Sequence, residues 1–216
     1  MSALFADPVD ALLGGPVARA GGVAVVDEVP DRETAYALAV EARSVYPTST
    51  RQECHQGDDA EGRGGVPRRA LQTAGGGQVQ DAFYASPWLH ASLGALCGVL
   101  VAPTGNRGSY SYYVQPGDFL DTHLDIDTCD VTLITVLHDD TDPTAPGGGL
   151  AVYPHQFGAS LARIRAAPGA GVTVVKARPG QSIVLLGGLV PHRVEPLGPS
   201  GQRIISALCF RATATG

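Results

Sequence analysis

From Gly108 onwards the chain consists of short β-branched or aromatic runs, each closed by Gly, Pro or Asp: SYSYYVQ, DFLDTHLD, DVTLITVLH, GGLAVYP, GVTVVKA, QSIVLLG, VPHRVEP and QRIISALCF. Runs of this length and composition read as strands, and no helical pattern separates them. About eight strands in succession predict an antiparallel sandwich or barrel.

The first half is different. Residues 31–46 open with a capping Asp31 and with Glu33 in the first turn, then place Ala35, Leu38, Ala39, Ala42 and Val45 at helical spacing. From Val79 to about Val101 the spacing of Phe83, Trp88, Leu89, Leu93, Leu96 and Cys97 predicts a second helix, with Pro87 tolerated near a helix start. Both helices are expected to pack on one sheet. Between them, residues 47–78 mix Gly, Pro and charge without sustained periodicity, which predicts a long mobile loop and suggests a lid. The expected organisation is one domain over 1–216, with a helical part at 1–108 and a β core at 109–212.

Composition narrows the function classes. With 44% hydrophobic and 17% charged residues there is enough apolar material for a core, and no apolar run reaches the ~20 residues of a membrane span. A formal charge of -6, with Lys176 as the only lysine, argues against a sequence-independent nucleic-acid binder. Cys54, Cys97, Cys129 and Cys209 occur singly, and Asp7 and Asp10 interrupt any secretory signal. This predicts a reduced, cytoplasmic protein in which Cys97 and Cys209 serve as small buried hydrophobes. Oligomeric state is left open.

The chemistry concentrates in the β region. His123 and Asp125 are two residues apart, so in an extended segment both project to one side. His192, 67 positions after Asp125 on a later strand, could complete a face of two imidazoles and one carboxylate. Such a face leaves three octahedral positions open, as non-haem Fe(II) oxygenases need; zinc is more often held tetrahedrally. Arg203 follows His192 by 11 positions, on the next strand, where a guanidinium fork could hold a carboxylate. Arg193 alternates to the face opposite His192, and Arg211 lies near the chain end.

At these residues the sequence resembles the iron(II)- and 2-oxoglutarate-dependent dioxygenases, and among them the prolyl-4-hydroxylase-like branch. The stretch YYVQPGDFLDTHLD is similar to that branch's tyrosine, Pro-Gly turn and HxD. VTLITVLHDDTDPTAPGGGLAVYP is similar to its central strand, acidic turn and Gly-Gly strand. PGQSIVLLGGLVPHRVEPLGPSGQRIISALCF is similar to its distal histidine and basic residue. The resemblance covers residues 109–211.

It implies a double-stranded β-helix (jelly-roll, cupin-like), mainly β with N-terminal helices. It further implies Fe(2+) held by His123, Asp125 and His192, with 2-oxoglutarate chelating the metal and its distal carboxylate on Arg203. The implied reaction consumes O2, releases succinate and carbon dioxide, and hydroxylates or otherwise oxidises a substrate C–H bond. Because Asp125 fills the position that is Gly or Ala in halogenating relatives, hydroxylation rather than chlorination is expected. The expected substrate is a small molecule, such as an amino acid or a natural-product intermediate. A protein (prolyl-type) hydroxylase and a non-catalytic cupin-like binding protein are the alternatives.

The chain departs from the branch in ending its central strand with Val136, Leu137 and His138 where Tyr-Leu-Asn is usual, and in having arginine at 203 where lysine is frequent. Ile205 stands where other branches place serine, with Ser206 on the opposite face, so Tyr113 is the candidate for a second hydrogen bond to the distal carboxylate. His138, Asp139, Asp140 and Asp142 read as a solvated hairpin turn. His55, His90 and His155 read as surface residues. Asp127 and Asp130 either contact substrate or cap a turn, and Gly147, Gly148 and Gly149 are turn residues at a strand entry. Arg51, Arg63, Arg68 and Arg69 are candidates for clamping a substrate carboxylate, or simply loop arginines.

Overall fold

The computed structural model describes residues 7–141 and 147–213. Its backbone is a curled antiparallel sheet of eleven strands: β1 (Val23–Val26), β2 (Thr50–Cys54), β3 (Arg69–Gly75), β4 (Leu100–Tyr113), β5 (Phe119–His123), β6 (Val131–Asp139), β7 (Leu150–Val152), β8 (Thr173–Val175), β9 (Ser182–Leu185), β10 (His192–Val194) and β11 (Arg203–Thr213). The spatial order is β1-β9-β6-β11-β4-β3-β5-β10-β7-β8, with β2 paired to β3. From β4 onwards the chain passes back and forth between a β9-β6-β11-β4 half and a β5-β10-β7-β8 half, and β3 joins them. This is a jelly-roll, the double-stranded β-helix expected from the sequence.

The Val131–Leu137 stretch of β6 is buried at every position, because one face meets the barrel interior and the other a helical layer. That layer is built on α3 (Arg32–Val45), whose Asp31 cap accepts from Thr34 N at 2.8 Å and whose Leu38 and Ala42 are fully buried. Burying a leucine such as Leu38 contributes about 1.5–3 kcal/mol. Two tyrosines of β4 pin α3 in place: Tyr110 Oη donates to Glu41 and Tyr112 Oη to Ala42 O, both at 2.7 Å.

Several elements differ from the sequence reading. The helical segment at 79–101 is two helices, α4 (Gln78–Tyr84) and α5 (Pro87–Cys97), because Pro87 starts a new helix after the break at Ala85–Ser86. Trp88 is half exposed there rather than in the core. Short helices α1 (Pro8–Leu13) and α2 (Pro16–Arg19) precede β1, and α6 (Leu161–Ala166) interrupts the strand succession. The 47–78 segment contains the β2–β3 ladder, whose residues pair in register from Thr50–Thr73 to Cys54–Arg69.

The cysteine reading is corrected as well. Cys129 and Cys209 form a disulfide across 80 residues of sequence, so Cys209 is a crosslink rather than a free hydrophobe, while Cys97 is free and buried. No helix among the described residues is long and apolar enough to cross a membrane. Asp142 lies outside the described residues.

Candidate metal centre

Strands β5 and β10 are neighbours, and their register sets His123 directly opposite His192, with ring centroids 4.3 Å apart. Just beyond β5, Asp125 N donates to Gly187 O at 2.9 Å, which folds the chain back toward the ladder. Asp125 Oδ1 then lies 3.6 Å from His123 Nε2 and 3.7 Å from His192 Nε2. The three donor atoms fall within 4.8 Å of one another.

The surroundings fix how each donor is presented. His123 Nδ1 meets Asp121 O at 2.8 Å and His192 Nδ1 meets Val190 O at 3.0 Å. A carbonyl only accepts, so Nδ1 carries a proton in both rings, and the neutral form of each imidazole keeps its lone pair on Nε2, facing Asp125. Asp125 Oδ2 accepts from the Thr132 hydroxyl, leaving Oδ1 to the site. Gly187 makes room for this carboxylate: a Cβ there would stand 1.9 Å from Oδ2 and 2.7 Å from Thr132 Oγ1.

Burial pushes the Asp125 carboxyl up, but the charges that His192 and His123 carry when protonated, together with the Thr132 hydroxyl, outweigh it, so the group lies well below the usual carboxylate range. Burial, with His123 alongside, pushes the His192 imidazole down to about 4. At neutral pH the site therefore offers an anionic carboxylate beside a neutral His192, the state a cation binds. Two imidazole nitrogens and one carboxylate oxygen on one side suit Fe(II) with open positions, so the residues fit such an ion.

Arg203 is 3% exposed and is the cross-strand partner of both Tyr113 and Asp139. Its Nη1 donates to Gly148 O at 2.6 Å, so the side chain of β11 reaches across to the opposite half of the barrel. Gly148 precedes β7, and Val152 at the other end of β7 pairs with His192. The four positions from Gly148 to Val152 span at most ~13 Å of chain, at ~3.3 Å per extended residue. The cationic group and the His/Asp/His set thus occupy two depths of one interior. Burial pushes the Tyr113 phenol well above its ordinary range, so it stays protonated beside Arg203.

The other sequence candidates separate from this interior. Arg193 Nη1 donates to Pro168 O at 2.9 Å and its guanidinium lies 5.6 Å from the Tyr153 ring centre, away from His192. Arg211 is exposed. Ser206 Oγ accepts from Gln80 Nε2 at 2.7 Å, on the face opposite Arg203.

Of the four arginines considered for substrate, Arg51 pairs with Asp118 at 2.7 Å, Arg63 with Asp130 at 2.8 Å and Arg68 with Asp121 at 2.6 Å. Asp130 is therefore a structural partner, and it also accepts from Ala212 N at 2.9 Å. His138, expected in a turn, lies instead within β6 opposite Ile204, and it pairs with Asp140 at 3.4 Å. A groove of about 620 Å³ on the Arg193 side of β10 is lined by Arg68, Asp121 and Arg165, but includes none of the three donor residues.

The segment read as a lid is tied down beside the centre. Arg63 Nη2 donates to Ile126 O at 3.0 Å, Gly64 N to Asp125 O at 3.3 Å, and Glu61 accepts from Ala162 N at 2.7 Å.

Sequence reasoning missed Thr132, Gly187 and the Gly148 carbonyl, because none carries a spacing signal and each acts only through the closed barrel. It also misplaced Asp139, whose carboxylate is 11% exposed and faces Arg203 instead of solvent.

No protein-family model matches the sequence, and no curated protein is significantly similar to it. Among solved structures, a Pseudomonas putida prolyl-4-hydroxylase is similar with TM-score 0.59 and 20% identity, over 96% of this chain and 100% of that one. The non-heme alpha-ketoglutarate-dependent epimerase SnoN from nogalamycin biosynthesis has TM-score 0.66 and 15% identity, over 95% and 82%. HygX from Streptomyces hygroscopicus, with nickel, 2-oxoglutarate and hygromycin B bound, has TM-score 0.61 and 11% identity, over 91% and 85%. The chain has the fold of the 2-oxoglutarate–iron(II) oxygenases.

Proposed function

We propose that this chain is an iron(II)- and 2-oxoglutarate-dependent dioxygenase that hydroxylates, or otherwise oxidises by two electrons, a C–H bond of a small molecule. The observation that carries the reading is the convergence of His123, Asp125 and His192 at one level of an interior whose other level holds the buried Arg203. A 2-oxo diacid has a chelating head and an anionic tail, and this interior offers a place for each. Bound there with O2, iron and 2-oxoglutarate supply oxidative decarboxylation and an oxygen atom for the substrate.

The chain's own residues would position these groups. His123, Asp125 and His192 would hold the ion, with their orientations fixed by Asp121 O, Val190 O and the Thr132 hydroxyl. Arg203 would take the distal carboxylate, and Tyr113, kept protonated, would donate the second hydrogen bond. Asp125 occupies the third protein position, which favours oxygen transfer over halide transfer. The 61–64 segment anchored beside Asp125 narrows the approach and favours a compact substrate. HygX with hygromycin B and SnoN of nogalamycin biosynthesis show the fold in small-molecule settings. Hydroxylation of a peptide is the second reading, favoured by the full-length match to a prolyl-4-hydroxylase.

The test is anaerobic addition of Fe(II) and then 2-oxoglutarate, followed by O2 with panels of amino acids, natural-product intermediates and peptides. A weak visible charge-transfer band and succinate formation are expected, and both should be lost in His192→Ala. Folded wild-type protein that gives no band would overturn the assignment.

A further inference from the structure

Arg203 meets a resident carboxylate inside the barrel. Asp139 is its cross-strand partner, and Asp139 Oδ2 lies 3.6 Å from Arg203 Nη1, with side chains 11% and 4% exposed. The spacing is too long for a hydrogen bond, so the contact is one of charge. The hydrogen bond of Nη1 goes to Gly148 O at 2.6 Å. Asp139 is itself held: its Oδ1 accepts from Thr141 N at 3.1 Å and from Thr141 Oγ1 at 2.6 Å. These two bonds hold the carboxylate beside the guanidinium.

We infer that Asp139 sets the affinity of this site for its cosubstrate, by acting as a permanent counter-anion to Arg203 that opposes the incoming distal carboxylate. The inference rests on the reading of Arg203 as the holder of that carboxylate. An anion bound to the free side of Arg203 would stand about 6 Å from Asp139, and at an effective dielectric of about 20 that repulsion is worth roughly two powers of ten in affinity. Because Asp139 offsets part of the Arg203 charge, a distal carboxylate gains less net charge stabilisation than it would from an unpaired guanidinium. The site should then discriminate only weakly between a 2-oxo diacid and a 2-oxo monoacid of the same chain length.

The experiment is anaerobic calorimetric titration of the iron(II)-loaded protein with 2-oxoglutarate and, separately, with 2-oxopentanoate, which lacks the distal carboxylate. In the wild type, 2-oxoglutarate should bind no more than about tenfold tighter than 2-oxopentanoate; this measurement needs no variant, and a preference of about a thousandfold would overturn the inference. Asp139→Asn should bind 2-oxoglutarate up to about a hundredfold tighter with 2-oxopentanoate unchanged, raising the preference to about a thousandfold. Unchanged or weaker 2-oxoglutarate binding in Asp139→Asn would overturn it. Arg203→Ala separates the two levels of the argument. Lost 2-oxoglutarate binding there, with no gain in Asp139→Asn, sinks the Asp139 inference alone, whereas unaltered binding removes the Arg203 reading and the inference together.

Discussion

Replacing Thr132 with valine deletes one hydroxyl and keeps the β-branched shape in a position that is 5% exposed on β6. That hydroxyl donates to Asp125 Oδ2, the oxygen turned away from the two histidines. A hydrogen bond to a charged group contributes about 1.5–3 kcal/mol, and partners of metal ligands typically change metal affinity by about 10–100-fold when removed. The two figures agree, because about 1.4 kcal/mol corresponds to a factor of ten. Thr132→Val should therefore weaken Fe(II) or Mn(II) binding by about 10–100-fold in an anaerobic chelator-competition titration. The metal-free variant should also melt lower, by about 2–4 °C for each kcal/mol lost in a chain of this size. Lower melting with unaltered metal affinity would refute the reasoning, since the hydroxyl would then serve the fold and not the ligand.

Two further outcomes follow from contacts outside the donor set. Arg63→Gln removes the pair with Asp130 and the bonds to Ile126 O, so it should destabilise by about 1–3 kcal/mol and speed limited proteolysis within 55–66; cleavage at the wild-type rate would show that the segment is held by other contacts. For Glu41, burial raises the carboxyl's affinity for protons, but the Tyr110 hydroxyl and the Val79 and Gln80 amides together bring it below its ordinary 4.5. The stabilisation is thus present above 4.5 and is lost as pH falls through the folded-state value, so wild-type melting should fall more steeply on acidification than that of Glu41→Gln. Parallel curves would rule the contribution out.

The β core was legible because its strands are buried on at least one face and written in β-branched residues, as in Val131–Leu137. His123 and His192 were legible as strand residues, whereas Asp125 joins them because the chain beyond β5 folds back through the Asp125 N to Gly187 O bond. What escaped the sequence depends on closure in three dimensions. The β2 and β3 strands sit among glycines and charges, and their pairing to each other and to β4 and β5 supplies what their composition lacks. Cys129 and Cys209 look single because 80 residues of strand exchange separate them. Asp139 belongs to an acidic turn by sequence, yet its register opposite Arg203 carries it inward. Arg51, Arg63, Arg68 and Arg69 were weighed as substrate clamps, and the first three instead meet Asp118, Asp130 and Asp121, carboxylates that lie far along the chain.

The opposition of His123 and His192 also makes the centre a property of strand alignment. β10 is only three residues long, and its pairing with β5 is irregular between His192 and Val194. A slip of one residue would turn the His192 imidazole to the side where Arg193 now points, and the donor set would cease to exist in a molecule otherwise folded. An ion bridging the two strands would act as a latch across them, favouring the aligned form over every slipped one by its own binding free energy. Metal capacity at saturation then becomes a census of alignment: a plateau below one ion per chain, in protein whose secondary structure is complete, would point to molecules whose β10 has docked out of step.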